Sequence, residues 1–199
     1  MVTFFAAVFF LIITPGPGVL SAAGVGAAYG FRAGMRYIAG LCIGQLIVIA
    51  LVISGLAALL LAAPVVRILL LGLSTLYLVY LAVRIAFAGS KVAFIEAQSE
   101  PGVMAGVLLQ PINPKAYAVN TTLFLGFPMQ DIAFTTEIAF KFLILHIIWI
   151  PIHIAWVWAG GVIKRLDLPE HQQRMINFAM AATMLIVVAL ALLSALSLT

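Results

Sequence analysis

Charge is scarce. Only 8% of the 199 residues are Asp, Glu, Lys or Arg, against about a quarter in an ordinary soluble domain, so a water-facing globule is excluded. Cysteine is nearly absent as well: the single Cys42 has no partner for an intrachain disulfide, and among apolar neighbours it reads as a small buried side chain. Metal-ligand clusters are missing. His146 and His153 have no nearby Cys or carboxylate in sequence to complete a tetrahedral site, and neither a metal nor a cofactor is expected. Carboxylates are absent from every predicted membrane span, since Glu96, Glu100, Asp131, Glu137, Asp167 and Glu170 all fall in loops or at their edges. The formal net charge of +4 is a topology signal in such a chain and does not call for a nucleic-acid partner.

What is abundant is apolar residue, at 65%. Uncharged stretches recur along the chain, and about 20 residues suffice for one helix across roughly 30 Å of hydrocarbon. The composition therefore predicts an all-α, polytopic membrane protein whose main partner is the lipid bilayer. The opening run MVTFFAAVFFLIIT has no Lys or Arg ahead of it, so the basic region of a signal peptide is missing. The run is expected to remain in the mature protein.

Charges and turn residues predict six spans, at about Val2 to Phe31, Tyr37 to Ala63, Ile68 to Phe87, Val103 to Phe127, Phe142 to Ile163 and Met175 to Thr199. The odd-numbered loops hold Arg32, Arg36, Lys91, Lys164, Arg165 and Arg174, with Arg84 close enough to snorkel towards the third; the other side has Arg67 and Lys141. That bias puts the odd loops in the cytoplasm and both termini outside. The connection 89–102 divides a single transporter domain, 1–199, into halves of about 1–88 and 103–199. Three spans per half is an odd number, so the halves run in opposite senses, as inverted repeats do.

Span one is interrupted by TPGPG, at Pro15, Gly16, Pro17 and Gly18, and span four by QPINPK, at Pro111, Asn113, Pro114 and Lys115. Proline lacks the amide donor and clashes with the preceding turn, at a cost of about 3 kcal/mol in an ordinary helix interior. In lipid, freed carbonyls are tolerated only where protein or water satisfies them. The two breaks are therefore expected to face each other inside the bundle, where matched broken helices mark a transporter's binding site. Amides at the start of each second half-helix attract a carboxylate. Carbonyls at the end of each first half-helix can hold an ammonium, so a zwitterion suits the gap. The competing reading of the prolines is a packing kink.

Lys115 is the one charge predicted inside a span away from its ends, and a mid-membrane Lys costs on the order of 2.5 to 3.5 kcal/mol. It either pairs with substrate, holds the break together, or snorkels to an interface. His146 and His153 are candidates to carry a coupled proton, as is Asp131 at a helix end, although a hydrogen-bonded structural histidine is the plainer reading of each. Asn120, Thr121, Thr122, Gln45 and Gln110 are candidate substrate contacts that interhelical bonds would equally explain. The same holds for Trp149, Trp156 and Trp158 as packing or interface anchors. Gly40 and Gly44 form a close-approach spacing read as packing within the chain, with a homodimer contact as the alternative.

Taken together, TPGPG, GFRAGMRYIAGLCIGQ, LGLSTLYLVYLAVR, NPKAY and QQRMIN, in this order over nearly the whole chain, resemble the LysE/RhtB family of amino-acid exporters. The resemblance implies six helices, efflux of amino acids or close derivatives from the cytoplasm of a bacterial cell across its inner membrane, and coupling to the proton gradient by antiport. Its matched positions are Pro15, Gly16, Pro17, Gly34, Gly40, Gly44, Asn113, Pro114 and Lys115. Gly18 departs from it, standing where the family commonly has Asn or Asp, and span six lacks the family's usual glycines. Two rival functions remain beside the carrier: a non-transporting membrane subunit or sensor, and an intramembrane enzyme, which would need a nucleophile with a base at membrane depth.

Overall fold

The structure, a computed structural model, describes residues 2–14, 16–87, 100–129, 132–166 and 168–196. These fold into nine helices: α1 (Val2–Ile13), α2 (Pro17–Tyr29), α3 (Phe31–Ile53), α4 (Leu56–Ala62), α5 (Pro64–Ala86), α6 (Val103–Ile112), α7 (Pro114–Leu125), α8 (Phe134–Arg165) and α9 (Glu170–Leu196). Segments Phe31–Ile53, Pro64–Ala86 and Phe134–Val162 are each long and apolar enough to cross a membrane, and α1 with α2 makes a fourth if the bent pair is one span. Leu59, Val65, Ile68, Leu76 and Ile147 point outward, the surface that lipid rather than water would cover.

Both expected breaks are present, and proline decides where each half-helix restarts. Pro17 and Pro114 open α2 and α7, the position where a missing N–H costs nothing and a fixed φ helps. The axis turns by 50° between α1 and α2. Pro111 lies inside α6, so the carbonyl of Val107, four residues earlier, loses its usual amide donor.

Two close helix pairs organise the bundle: α2 lies along α8 and α3 along α6. In each, glycine lets backbone meet backbone. A Cβ on Gly26 would lie 2.5 Å from the carbonyl oxygen of Val157, and one on Gly160 would strike that of Ala23. Across the other pair, Gly44 meets the carbonyl of Val107, the one Pro111 leaves free, while Gly40 meets Val103 and Gly106 meets Tyr37. The Gly40/Gly44 spacing is thus used within the chain. A third pair, α5 with α9, is joined by Phe87 and Phe178, edge to face at 5.5 Å.

Several expected boundaries move. The predicted second span breaks at Ser54 and Gly55, where Gly55 takes a left-handed φ of 78° that only glycine adopts without strain. The first loop shrinks to Gly30, with φ 93°, so Arg32 and Arg36 begin α3, and Arg36 pairs with Glu100. The fifth helix starts at Phe134 rather than Phe142. Glu137 and Lys141 therefore belong to it, and Lys115 is not the sole charge within a span, nor are the spans free of carboxylate. The pair is tolerated because the 0% exposed Lys141 Nζ is held by two partners: it meets Glu137 Oε1 at 2.5 Å and donates to the Phe124 carbonyl at 2.7 Å. That carbonyl is one of the unpaired acceptors at the end of α7. Arg84 does not snorkel outward. It is buried, and its Nη1 donates back along α5 to the Tyr80 hydroxyl at 3.0 Å. Of the connection 89–102, residues 89–99, with Lys91 and Glu96, lie outside the described residues.

Candidate functional site

The two breaks meet. Lys115, the second residue of α7, extends across the gap, and its Nζ donates to the Thr14 carbonyl at 2.6 Å, an acceptor exposed by the end of α1. Its stem runs over Gly16, where a Cβ would lie 2.7 Å from Lys115 Cδ and 2.9 Å from Nζ. Gly16 is extended, at φ −159°, a conformation open to any residue. Its missing side chain therefore makes room for the lysine above it, and the backbone itself does not call for glycine.

The break in the second half is closed by its own side chains. Asn113, 4% exposed, accepts the Lys115 amide on Oδ1 at 3.1 Å as N-cap of α7. The Ala116 amide bonds the Asn113 carbonyl at 3.0 Å, and the Tyr117 hydroxyl donates to the Pro111 carbonyl at 2.9 Å. In the first half, no such closure is found among the described residues. The Gly16 carbonyl accepts from Leu20, Pro17 has no N–H, and the Gly18 and Val19 amides open α2 with no side-chain cap. The start of α2 is consequently the half-helix that presents free amides and a positive dipole end.

Between the breaks lies a small cavity of about 50 Å³, lined on its polar side by Thr14, Gly16, Gly18, Gln45, Gln110, Asn113, Lys115, Asn120 and His153. Asn120 is fully buried. Its Oδ1 accepts from Gln45 Nε2 at 3.1 Å, and its Nδ2 donates to the Ala116 carbonyl at 2.7 Å. This interhelical bond ties α3 to α7 and leaves the Gln45 amide oxygen as a further acceptor. His153 stacks on Trp149, ring centroids 3.7 Å apart, with Nδ1 against the Trp149 carbonyl at 2.9 Å. Its Nε2 lies 3.6 Å from the place a Cβ on Gly18 would take. The side-chain volume missing at position 18 is thus faced by an imidazole from α8.

Of the residues expected to form the site, Gly16, Gly18, Asn113, Lys115, Asn120 and His153 line this cavity. Pro17 and Pro114 flank it as first residues of α2 and α7, while Pro15 and Asp131 lie outside the described residues. His146 does not reach the cavity. It repeats the backbone bond of His153 one heptad earlier, with Nδ1 on the Phe142 carbonyl and its ring tilted against Phe142 at 4.1 Å, but a heptad along α8 is roughly 10 Å. Trp149 is a cavity wall as well as an anchor, and Thr14 was not expected at all. The only sequence signal for Thr14 is its place at the end of α1, where a carbonyl must lose its donor. Among the described residues no group of three or more His, Cys, Asp or Glu could hold a metal ion.

Among the described residues the cavity carries a lysine, helix-start amides and neutral amides, with no carboxylate in its lining. Such a set binds an anionic group and offers only neutral acceptors to a cation. No curated protein and no solved structure matches the chain. A family model does, over residues 9–196, and it describes a LysE type translocator. That match covers all the helices from the middle of α1 to the end of α9. The chain, a membrane protein and a transporter, therefore belongs to the LysE type translocator family.

Proposed function

We propose that this translocator is a secondary transporter that exports amino acids or close derivatives from the bacterial cytoplasm, by alternating access around the cavity between the two breaks. The observation that carries the reading is the bond from Lys115 to Thr14, because it brings both interruptions to one polar space inside an apolar bundle. The substrate carboxylate is met by Lys115 and the α2 amides at Gly18 and Val19. Its ammonium is met by the neutral acceptors of Gln45, Gln110 and His153. The carbonyl expected to hold an ammonium at the end of α1 is already engaged by Lys115, so the lysine acts as the site's own cation when substrate is away.

The helix pairing supports six spans in two inverted repeats. With α1 and α2 as span one, α3 and α4 as span two, α5 as span three, α6 and α7 as span four, α8 as span five and α9 as span six, span one packs on five, two on four, and three on six. Exchanging the halves maps that pattern onto itself, as an inverted repeat requires. The charge bias supports a cytoplasmic placement of the basic loops, and an inner-membrane location is proposed with it. For proton coupling, His153 is the titratable group in the cavity besides Lys115, and it replaces His146 as the better candidate.

The test is counterflow in vesicles containing the purified chain, preloaded with a panel of unlabelled amino acids and offered the labelled forms. Saturable exchange of at least one amino acid, lost in Lys115→Ala at equal folded protein, is the expected result. Exchange of none by a well-folded protein would instead favour a non-transporting subunit.

A further inference from the structure

Arg84 occupies the last turn of α5 and is 9% exposed. Nη1 donates to the Tyr80 hydroxyl at 3.0 Å, and Cζ lies 5.6 Å from the Tyr80 ring. The Tyr29 hydroxyl of α2 donates to the Arg84 backbone carbonyl at 3.1 Å, which fixes the end of α5 against the end of α2. The other two nitrogens, Nε and Nη2, are buried and have no hydrogen-bond partner. Among the described residues the ion pairs are Arg36 with Glu100, Lys141 with Glu137, and Arg174 with Glu170, and none of them involves Arg84.

A buried guanidinium with unmet donors carries a penalty of several kcal/mol in effective desolvation. The unmet donors are also a particular pair. Nε–H and one Nη2–H lie side by side on one edge of the planar group, parallel and spaced to match the two oxygens of a carboxylate. A phosphate dianion would bring a second negative charge that a single guanidinium does not balance. The Tyr80 ring, 5.6 Å from Cζ, suits the organic body of the ligand, and its hydroxyl already accepts from Nη1.

We propose that the Nε/Nη2 edge of Arg84, held between α2 and α5 by Tyr29 and Tyr80, is a second binding site for a small organic carboxylate, separate from the central cavity. The central site lies at the start of α2 and this one at its end; α2 has 13 residues, so the two are roughly 18 Å apart at 1.5 Å per residue. The end of α5 is the one that the basic loops place on the cytoplasmic side. A carboxylate captured there stands on the side from which an exported amino acid arrives. That role rests on the transport reading, whereas the binding itself does not.

The experiment is equilibrium dialysis of the full chain in lipid nanodiscs against radiolabelled benzoate, with empty nanodiscs subtracted. Saturable binding is expected, displaced by unlabelled acetate and not by benzamide or inorganic phosphate. Arg84→Gln should weaken it by roughly tenfold or more, for the loss of two charge-assisted hydrogen bonds. Arg84→Lys, which keeps the charge and loses the parallel fork, should weaken it severalfold and decides the matter if the glutamine variant fails to fold. Because Lys115 offers a carboxylate a place in the central cavity, the same comparison is made in the Lys115→Ala background, where the Arg84 dependence should persist. Unchanged affinity in Arg84→Lys within that background would overturn the proposal, as would stronger displacement by phosphate than by acetate. Because binding is read without transport, a failure of the exporter reading leaves this outcome interpretable.

Discussion

Lys115 Nζ and the Thr14 carbonyl, 101 positions apart in the chain, are joined at 2.6 Å. Each answers a problem created by the other's helix break: the end of α1 has a carbonyl without an amide donor, and the start of α7 has an ammonium in an apolar bundle. A substrate carboxylate competes for the same ammonium, so binding would loosen the tie between the halves. The predictions below follow from that relationship and from the packing around it.

Gly16→Ala should disable transport through Lys115. The added methyl falls 2.7 Å from Lys115 Cδ, and the flexible stem must move aside, drawing Nζ away from Thr14. Since the backbone at Gly16 is extended, the fold should persist. Counterflow rate should fall roughly tenfold, as a loss of about 1.4 kcal/mol implies, with an unchanged elution profile in size-exclusion chromatography. An undiminished rate would show that the lysine's position is not important.

Gly18→Ala should be tolerated structurally and alter selectivity. A Cβ there meets His153 Nε2 at 3.6 Å, an ordinary contact, yet it occupies part of a cavity of about 50 Å³. Apparent KM in counterflow should rise for the bulkier members of an amino-acid panel and stay level for the smallest. A uniform change across the panel would argue that position 18 does not face substrate.

Gly106→Ala should destabilise the protein by about 1–3 kcal/mol, the usual range for overpacking. The methyl would strike the Tyr37 carbonyl and lie 2.6 Å from the Leu41 amide nitrogen, both backbone atoms that cannot turn away. Gly72→Ala on α5 meets nothing within 4 Å and should be neutral or gain up to about 1 kcal/mol of helix propensity. Thermal unfolding of the two variants in one detergent compares them directly, and equal shifts would contradict the backbone contact between α3 and α6.

Lys141→Met should cost about 1–3 kcal/mol, because it leaves the buried Phe124 carbonyl without its donor and removes the partner of Glu137. Adding Glu137→Gln should recover part of that loss. A double-mutant cycle on unfolding midpoints measures the coupling, and additive effects would mean that the pair contributes no interaction.

Legibility in the sequence followed local physics. Proline and glycine reveal themselves wherever they fall, so the breaks at TPGPG and QPINPK were readable together with their inward orientation, because exposed carbonyls in lipid leave no other option. Lys115 and Asn113 were readable for the same reason. The start of α8 was not: Glu137 and Lys141 look like loop charges until a partner and a helix end are found for both. His146 and His153 each bond the backbone carbonyl of an aromatic residue four positions back, and only the depth at which α8 crosses the breaks brings one of them to the cavity.

By itself, the sequence determined the all-helical, membrane-embedded character, the two interruptions and the residues with the chemistry to fill them. These depend on composition and on proline's missing amide, which need no neighbours. Tertiary structure alone decided which acceptor takes the Lys115 ammonium, which histidine faces Gly18, and that Arg84 turns inward with two donors unmet. Those are relations between helices distant in the chain. They are fixed by the backbone-to-backbone approach of α2 to α8 and α3 to α6, and no local pattern encodes them.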